Sequence, residues 1–339
     1  MSSHTRRSAR SGSGRRVVGG GGKSSGTRSS AVSSSSHHYL LEQVVGKGTR
    51  TNYRAGLRKF LLWLVDNSFD DDDVSVAELD ELFLDYIHVL HRTGLPLSPA
   101  RHALYGMEMY MPHLRRQLVR SRQAIRGWRK LVPAVSHPPL TWELTNVIAL
   151  QLAHHGHWRY GVAVLLGFDC MMRVSELLAL TTDDIADDYD CRIGMEHKGM
   201  VICLRKTKTG TYKSVEVLEH QVVILLRNLL SLTESGSRLF PSSDETFRRH
   251  FKHACMSLDL SSNIVPHSLR HGGATRYLTV KKMRLEDVLL RGRWASTSTA
   301  RIYIQQGRAM LLGQQKSKLS VLGADMAPHI SYLISLYMQ

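Results

Sequence analysis

The sequence predicts a mainly α-helical protein with one small antiparallel β-sheet, an α+β fold in two domains. Three observations lead to this prediction. Apolar residues recur every three or four positions along most of the chain, which is the spacing of a buried helix face. Only residues 200–218 alternate in the manner of two strands around a short turn. The proline-rich segment 133–139 separates an N-terminal helical part from the rest, as a linker does.

Residues 1–37 form a tail rich in serine, glycine and arginine, without apolar periodicity. A segment of this composition cannot bury a core, so we expect it to be disordered. It contains no hydrophobic stretch typical of a secretory signal. The run from Gly19 to Ser24 is similar to a phosphate-binding loop. Because Val17 stands where such a loop needs its first glycine, we reject that interpretation.

The chain of 339 residues carries a formal net charge of +16. The first 38 residues hold seven lysines and arginines and no acidic residue, so subtracting these seven from +16 still leaves +9 on the remainder. A positive excess of this size indicates a polyanionic partner, of which nucleic acid is the usual example.

The first predicted domain, residues 38–132, is helical. Thr51 is predicted to cap a helix. The apolar stripe of that helix comprises Tyr53, Leu57, Phe60, Leu61 and Leu64. The segment Ser75–Glu78 has the pattern of a capping box and predicts the start of a second helix. A third helix is expected to begin at Ser98, which is followed by a proline.

Seven basic residues follow in the segment 114–131. They are Arg115, Arg116, Arg120, Arg122, Arg126, Arg129 and Lys130. A run of charge is commonly only a solvated face. Because these charges are all positive and alternate with Leu118, Ile125 and Trp128, we favour contact with nucleic-acid phosphates.

The second predicted domain covers residues 140–313 and contains the sheet. Its strands are predicted at Met200–Leu204 and Ser214–Leu218, on either side of a turn at Thr209–Thr211. Its helices are predicted near residues 221–232, 244–257 and 268–279, with shorter ones toward Leu290 and at Tyr303. The apolar remainder, residues 314–339, either packs on its own chain or docks on an adjacent protomer.

Six residues of the second domain carry a coherent set of reactive groups. They are Arg173, Lys208, His267, Arg270, Trp294 and Tyr303. Two guanidinium groups can hold phosphate oxygens bidentately. A lysine or histidine can protonate a leaving alkoxide, and nearby cations lower the pKa of an attacking phenol. The set therefore fits the opening of a phosphodiester through a covalent tyrosine intermediate, without a metal.

Several of these residues also have a purely structural interpretation. Arg173 could pair with Glu176, three residues further along a helix. His267 could cap or pack the start of its helix, and Tyr303 could be a core tyrosine whose hydroxyl is hydrogen-bonded.

The choice of lysine is also open. Lys206 shares a strand face with Lys208, because side chains alternate along a strand, and Lys213 lies across the turn. The Thr-Lys-Thr-Gly context favours Lys208.

The order and surroundings of these residues resemble the tyrosine recombinases, also called phage-type integrases, over roughly residues 50–310. The segment from Met171 to Leu180 is similar to the family's first arginine box, and Pro266–Thr275 to its His-x-x-Arg box. Trp294 stands where members carry His or Trp, and Tyr303, nine residues later, matches the nucleophile. The long serine- and arginine-rich tail suggests a eukaryotic mobile element, such as a DIRS-type retroelement or a Crypton, with a bacterial or viral origin as the alternative.

The resemblance implies a helical core-binding domain, a catalytic domain and type IB chemistry. Tyr303 would attack the scissile phosphate, forming a 3′-phosphotyrosine and freeing a 5′-hydroxyl. The phosphate would be held by Arg173, Arg270 and Trp294. Lys208 would protonate the leaving oxygen and His267 would serve as general acid/base, with Glu176 and His271 orienting their neighbours. No metal, cofactor or ATP is implied. The implied partners are double-stranded DNA sites and further copies of the chain, assembled as a tetramer.

Two other functions compete with a site-specific recombinase. A type IB topoisomerase uses a similar set of residues but relaxes supercoils instead of exchanging strands. A non-catalytic DNA-binding protein could retain the fold, although it would not need Arg173, Arg270 and Tyr303 together.

The four cysteines show no short paired spacing, so neither a zinc knuckle nor a disulfide framework is predicted, and a reducing compartment is expected. His154, His155 and His157 could be taken for a metal cluster, but they fit the end of a helix better. No apolar stretch is long enough to cross a bilayer. We therefore expect an intracellular protein, located in the nucleus if the source is eukaryotic and otherwise in the cytoplasm or nucleoid.

Overall fold

The computed structural model describes residues 44–69, 74–133, 136–187, 199–207 and 210–338. It divides the chain into two units, Met1–Ala134 and Val135–Gln339, and this boundary falls within the predicted linker. The predicted N-terminal tail lies outside the described residues. Among the described residues, no helix has the length and apolar character required to span a membrane.

The first unit contains four α-helices in its described part. They are α1 (Lys47–Asp66), α2 (Val76–Arg92), α3 (Ser98–Tyr110) and α4 (Val119–Leu131), with a 3₁₀ turn at Pro112–Leu114. Their apolar stripes meet in one core that includes Phe60, Phe83, Leu104 and Trp128. The rings of Phe60 and Phe83 pack edge to face with centroids 4.9 Å apart, which is a favoured geometry for aromatic pairs.

Local capping signals explain where some of these helices begin. The predicted capping box is present: the hydroxyl of Ser75 accepts from the N–H of Glu78 at 3.3 Å, and the Glu78 carboxylate accepts from the N–H of Ser75 at 2.9 Å. The predicted cap at Thr51 is wrong, because α1 already begins at Lys47. Thr51 is the fifth residue of the helix, and its hydroxyl donates to the carbonyl of Lys47 at 3.1 Å.

The start of the basic helix α4 is capped from a distant part of the chain. The carboxylate of Asp80, on α2, accepts from the N–H groups of Arg120 at 2.8 Å and Ser121 at 3.0 Å. These N–H groups belong to the first turn of α4, where no helix carbonyl is available to them. Asp80 is only 7% exposed, so this long-range cap fixes α4 against α2.

The second unit is mainly helical and contains a three-stranded antiparallel sheet, which confirms the predicted fold class. Its helices are α5 (Trp142–His154), α6 (Trp158–Asp169), α7 (Val174–Leu177), α8 (His220–Ser231), α9 (Asp244–Ser257), α10 (His267–Thr279), α11 (Leu285–Gly292), α12 (Thr297–Tyr303), α13 (Gln306–Gln315), α14 (Ser317–Met326) and α15 (Ile330–Ser335), with 3₁₀ turns at Thr182–Asp184 and Ala327–His329. The strands β1 (Ile185–Ala186), β2 (Met200–Thr207) and β3 (Gly210–Val217) lie in the order β1-β2-β3.

The sheet has a register that follows its apolar alternation. Cys203 of β2 pairs with Ser214 of β3, and Leu204 pairs with Lys213. The alternating residues Ile202, Leu204 and Val215 are buried in the same core as α5 and α6. The strands therefore turn one face inward, as period-two sequences do. The short strand β1 was not predicted, because two residues carry no readable alternation.

The C-terminal segment packs against its own unit. Ile330 and Ile334 are fully buried in the main core, so the self-packing alternative holds for these side chains. Gly323 of α14 lies so close to α5 that a Cβ there would come within 2.1 Å of the Glu143 carbonyl oxygen. Tyr332 points outward and is 65% exposed.

Candidate active site

The second unit brings together five of the six residues predicted to carry the chemistry. Arg173 immediately precedes α7, and His267 and Arg270 lie in the first turns of α10. Trp294 follows α11 and Tyr303 is the last residue of α12. The sixth residue, Lys208, lies outside the described residues.

Arg270 lies at the centre of this group and is fully buried. Its two terminal nitrogens donate to the backbone carbonyls of Met171 and Gly292. Its guanidinium also lies over the ring of Trp294, 4.5 Å from the centroid, and 5.4 Å from the ring centroid of Tyr303. Carbonyl dipoles and aromatic faces therefore replace the water that this cation has lost.

Arg173 is held next to this cation by a buried acid. Its Nη1 donates to Oε1 of Glu176 at 2.5 Å, and its backbone N–H donates to Oε2 of the same carboxylate at 3.0 Å. The side chain of Glu176 is only 3% exposed, whereas that of Arg173 is 22% exposed. The predicted ion pair is thus present, and the arginine keeps part of its surface open to solvent.

Two histidines of α10 border the nucleophile candidate. The ring of Tyr303 lies 5.4 Å from His267 and 4.5 Å from His271, measured between centroids. Burial lowers the pKa of His267 to about 4, and the nearby Arg270 and His137 act in the same direction. Burial, followed by the charge of His267, also lowers the pKa of His271 to about 4. Both imidazoles are therefore neutral at pH 7.

Trp294 also packs against the ring of Tyr303. Its ring centroid is 4.8 Å from that of Tyr303, and the side chain is 8% exposed. Its indole Nε1 and the Nε of Arg270 are buried donors without a hydrogen-bond partner. Such donors are rare because they are costly, and they occur at functional sites. Both belong to the residues assigned to the phosphate.

The close approach of Trp294 requires a glycine in the preceding turn. A Cβ at Gly292 would lie 1.8 Å from an atom of the Trp294 ring. The carbonyl of Gly292 is also one of the two acceptors of Arg270. This glycine therefore lets the turn after α11 hold the arginine and the indole together.

The structure adds residues that the sequence analysis did not select. Arg293 donates to the Glu176 carboxylate at 3.0 Å, and Arg291 donates to the Asp169 carboxylate at 2.5 Å. The side chain of Gln305 lies 3.1 Å from Nδ1 of His271, so it helps to orient that ring. The sequence signal for the two arginines was their position on either side of Gly292, next to Trp294.

The histidines near the end of α5 are arranged as ring pairs. The helix ends at His154, and the ring of His157 lies 3.9 Å from that of His250. Within the described ranges, no group of three or more His, Cys, Asp or Glu residues is arranged to hold a metal ion.

Comparison with known proteins agrees with this fold. Residues 146–309 match the family model described as the phage integrase family. The Tn1549 transposon integrase in complex with circular intermediate DNA is similar in structure, with a TM-score of 0.52 and 13% identity over 78% of this chain and 98% of that one. A lambda integrase dimer bound to a COC′ core site gives a TM-score of 0.52 and 17% identity over 79% and 74%.

A third similar structure is that of the XerH site-specific recombinase bound to a palindromic difH substrate. It has a TM-score of 0.52 and 18% identity over 79% of this chain and 78% of that one. No curated protein sequence matches the chain. The fold is that of the tyrosine recombinases. Residues 146–309 form a domain of the phage integrase family.

Proposed function

We propose that this chain, a tyrosine-type site-specific DNA recombinase, cleaves and rejoins strands through a phosphotyrosine formed at Tyr303. One observation carries the proposal. The Tyr303 ring packs against Trp294 while the buried Arg270 guanidinium lies 5.4 Å from its centroid. A phenol beside a fixed cation and an indole N–H is placed to attack a phosphate whose charge grows in the transition state.

The proposed cleavage step exchanges one ester bond for another. The phenolic oxygen of Tyr303 forms a bond to the scissile phosphorus, and the bond from phosphorus to the 5′ oxygen breaks. His267 accepts the phenolic proton. Its imidazole is neutral before this step because burial, Arg270 and His137 lower its pKa. The 3′-phosphotyrosine retains the ester energy, so a 5′-hydroxyl can rejoin the strand without ATP. No metal or cofactor enters this scheme.

The oxygens of the phosphate are assigned to three donors. Arg270 is pre-positioned by its two carbonyl partners, and Trp294 offers its unpartnered indole N–H. Arg173 offers the partly exposed side of its guanidinium. Donors fixed before the reaction stabilise developing charge without having to reorganise. Glu176 and His271 act through these groups as positioning residues.

The leaving 5′ oxygen requires a proton, and we assign it to Lys208. The Thr-Lys-Thr-Gly context of the sequence supports this choice. Lys206 lies on β2, opposite Thr211 of β3. Lys213 is opposite Leu204, further from the turn.

The basic segment of the first unit is assigned to DNA. The exposed basic side chains of this segment are Arg115, Arg116, Arg120, Arg126, Arg129 and Lys130. Arg122 is half-buried and pairs with Glu108, so it contributes less, and the exposed Arg120 also pairs with Glu81. On α4, the side chains of Arg126, Arg129 and Lys130 fall within about 100° of one another, so they form a single face.

We further propose that the protein assembles as a tetramer on paired DNA sites. The exposed Ile302, beside the nucleophile, and the exposed Met310 and Leu311 on α13 offer an apolar surface for another copy. Sedimentation of the DNA complex tests this assembly, and monomers at saturating DNA would exclude it.

The tail composition leads us to propose a eukaryotic mobile element as the source of the protein, with a nuclear location.

Covalent trapping tests the proposed chemistry. Nicked duplexes of randomised sequence are incubated with the full chain, and SDS-resistant complexes are recovered and sequenced. The expected result is a protease-sensitive adduct at one recurring site, formed by the wild type and absent with Tyr303→Phe. An adduct with Tyr303→Phe would show that another residue attacks.

If neither protein forms an adduct on DNA that it binds, the non-catalytic alternative is supported. A supercoiled plasmid that carries two of the trapped sites separates the two enzymatic functions. New junctions between the sites indicate recombination, whereas relaxed circles alone indicate a topoisomerase.

A further inference from the structure

Arg293 occupies a backbone position that disfavours an arginine. It directly follows α11 with φ 57° and ψ 39°, in the left-handed region. Glycine is the usual residue at such a helix end, because a Cβ there crowds the neighbouring carbonyl. The Arg293 side chain is nevertheless only 1% exposed. A buried guanidinium on a strained backbone indicates that the side chain itself is required at this place.

The guanidinium of Arg293 joins the segments that precede Arg173 and Trp294. Nη1 donates to the carbonyls of Cys170 at 3.1 Å and Arg291 at 2.8 Å. Nη2 donates to the carbonyl of Met171 at 3.0 Å and to the Glu176 carboxylate at 3.0 Å. The Met171 carbonyl also accepts from Arg270, so the two buried arginines share an acceptor.

Glu176 is therefore held by two arginines, one on each oxygen. Oε1 accepts from Arg173, and Oε2 accepts from Arg293 and from the backbone N–H of Arg173. Burial by itself raises the pKa of Glu176, but Arg293 and the two Arg173 contacts outweigh it and lower the pKa below its usual value. The carboxylate stays ionised, so it needs a cation at all times.

This arrangement bears on how Arg173 can reach a phosphate. A guanidinium that leaves Glu176 would abandon a buried carboxylate, which is strongly unfavourable unless a second cation remains. We propose that Arg293 is a positioning residue that keeps Glu176 paired while Arg173 turns its guanidinium to the scissile phosphate. The proposal rests on the proposed function. It predicts that the effect of Arg293 depends on the charge of that phosphate.

Arg291 provides a matched control in the same turn. It is also buried, and its guanidinium donates to the carboxylate and carbonyl of Asp169 and to the carbonyl of Glu216. The guanidinium also lies 4.6 Å from the ring centroid of Tyr277. It makes no hydrogen bond to Glu176 or to the residues assigned to the phosphate. Replacing Arg291 is therefore expected to change only the stability of the fold.

The experiment compares two substrates built on the duplex selected by covalent trapping. One carries the natural scissile phosphate and the other a neutral methylphosphonate, which lacks the charge that Arg173 would hold. The rate of adduct formation is measured for the wild type, Arg293→Gly, Arg293→Lys and Arg291→Lys. Glycine suits the backbone at position 293, and lysine keeps a charge but cannot span the four acceptors.

We expect Arg293→Gly to slow adduct formation about tenfold on the natural phosphate, the scale of groups that orient a reacting residue. On the methylphosphonate its rate should be within about threefold of the wild-type rate on that substrate. Arg293→Lys should show the same dependence with a smaller loss. Arg291→Lys should lose the same factor on both substrates.

Two results would overturn the proposal. One is an equal loss for both Arg293 variants on the two substrates, which is the result of a merely structural role. The other is the absence of any loss in folded Arg293 variants, as judged by thermal unfolding. Failure of the wild type to form any adduct would instead contradict the proposed function, so the two failures are distinguishable.

Discussion

His267 and His271 illustrate how the site controls protonation residue by residue. His271 is buried and His267 is partly buried, both close to cations and other histidines, and burial is the main cause of their lowered pKa values. A proton on either ring would be poorly solvated and would repel Arg270 or the neighbouring imidazole. The surroundings of α10 therefore keep both imidazoles neutral, and a general base must be neutral before it accepts a proton.

These pKa values predict how stability depends on pH. The folded pKa of each histidine, about 4, is below its ordinary value of 6.5, so the unfolded chain binds more protons between these pH values. The free energy of unfolding should be fully maintained above pH 6.5 and should fall as pH is lowered toward 4. Thermal unfolding recorded from pH 7.5 to 4 measures this.

A comparison of variants assigns the pH effect to these rings. His271→Asn should flatten the dependence, whereas His220→Asn, at an exposed position, should leave it unchanged. Equal slopes for the wild type and His271→Asn would contradict the assignment.

Helix α10 positions its reactive side chains by close backbone contact with its neighbours. A Cβ at Gly272 would come within 2.1 Å of the Leu140 carbonyl oxygen, and one at Gly273 within 2.2 Å of the Phe168 carbonyl oxygen. Only glycine permits this approach, so the two glycines that follow His271 set how deeply α10 lies in the unit. In the turn after α11, Gly292 likewise permits a close approach, here by the Trp294 ring.

Gly292→Ala tests whether the turn after α11 requires this close approach. The added methyl group would overlap the Trp294 ring, so we expect a loss of about 1–3 kcal/mol in the free energy of unfolding. Covalent adduct formation should fall more than stability does, because the indole and the carbonyl acceptor of Arg270 both shift. Chemical denaturation and adduct yield measure the two effects.

Gly307→Ala is the matched control, because nothing lies within 4 Å of a Cβ at that position. Its free energy of unfolding should change by less than about 0.5 kcal/mol. A harmless Gly292→Ala would contradict the packing described for Trp294.

The whole molecule is strongly basic, with a net charge of +16 distributed over both units. The first unit presents its basic face on α4, and the second presents buried arginines around Tyr303. In the proposed function, the charges on α4 would bind DNA by releasing counterions, whereas Arg270 and Arg173 would act on a single phosphate. The affinity for DNA and the rate of adduct formation should therefore depend differently on the salt concentration.

Arg126→Ala tests the charges on α4. Removing one phosphate contact should lower the slope of log affinity against log salt by about one unit on any duplex. Affinity measured between 50 and 200 mM salt provides this slope, because loss of one contact changes the affinity ratio over that range by about fourfold. Arg284→Ala is a suitable control, because Arg284 already pairs with Asp287 at 2.8 Å. An unchanged slope with Arg126→Ala would remove this residue from the DNA contacts.

The sequence by itself determined the family, the α+β fold class and the five reactive side chains that the second unit brings together. These follow from local spacing, since a box such as His267-Ser268-Leu269-Arg270 keeps its pattern wherever it folds. The capping box at Ser75 could be predicted for the same reason. The cap at Thr51 could not, because a helix start also depends on what the preceding residues tolerate.

The tertiary structure alone decided which groups neutralise one another. Arg293 and Glu176 are 117 positions apart, and Asp80 caps a helix 40 positions away. No local pattern marks such pairs, because a buried ion pair is selected by the shared low-dielectric space that the whole fold creates. The sequence analysis did not select Arg293 for the same reason. Its guanidinium donates to four acceptors, and only the folded chain brings these acceptors together.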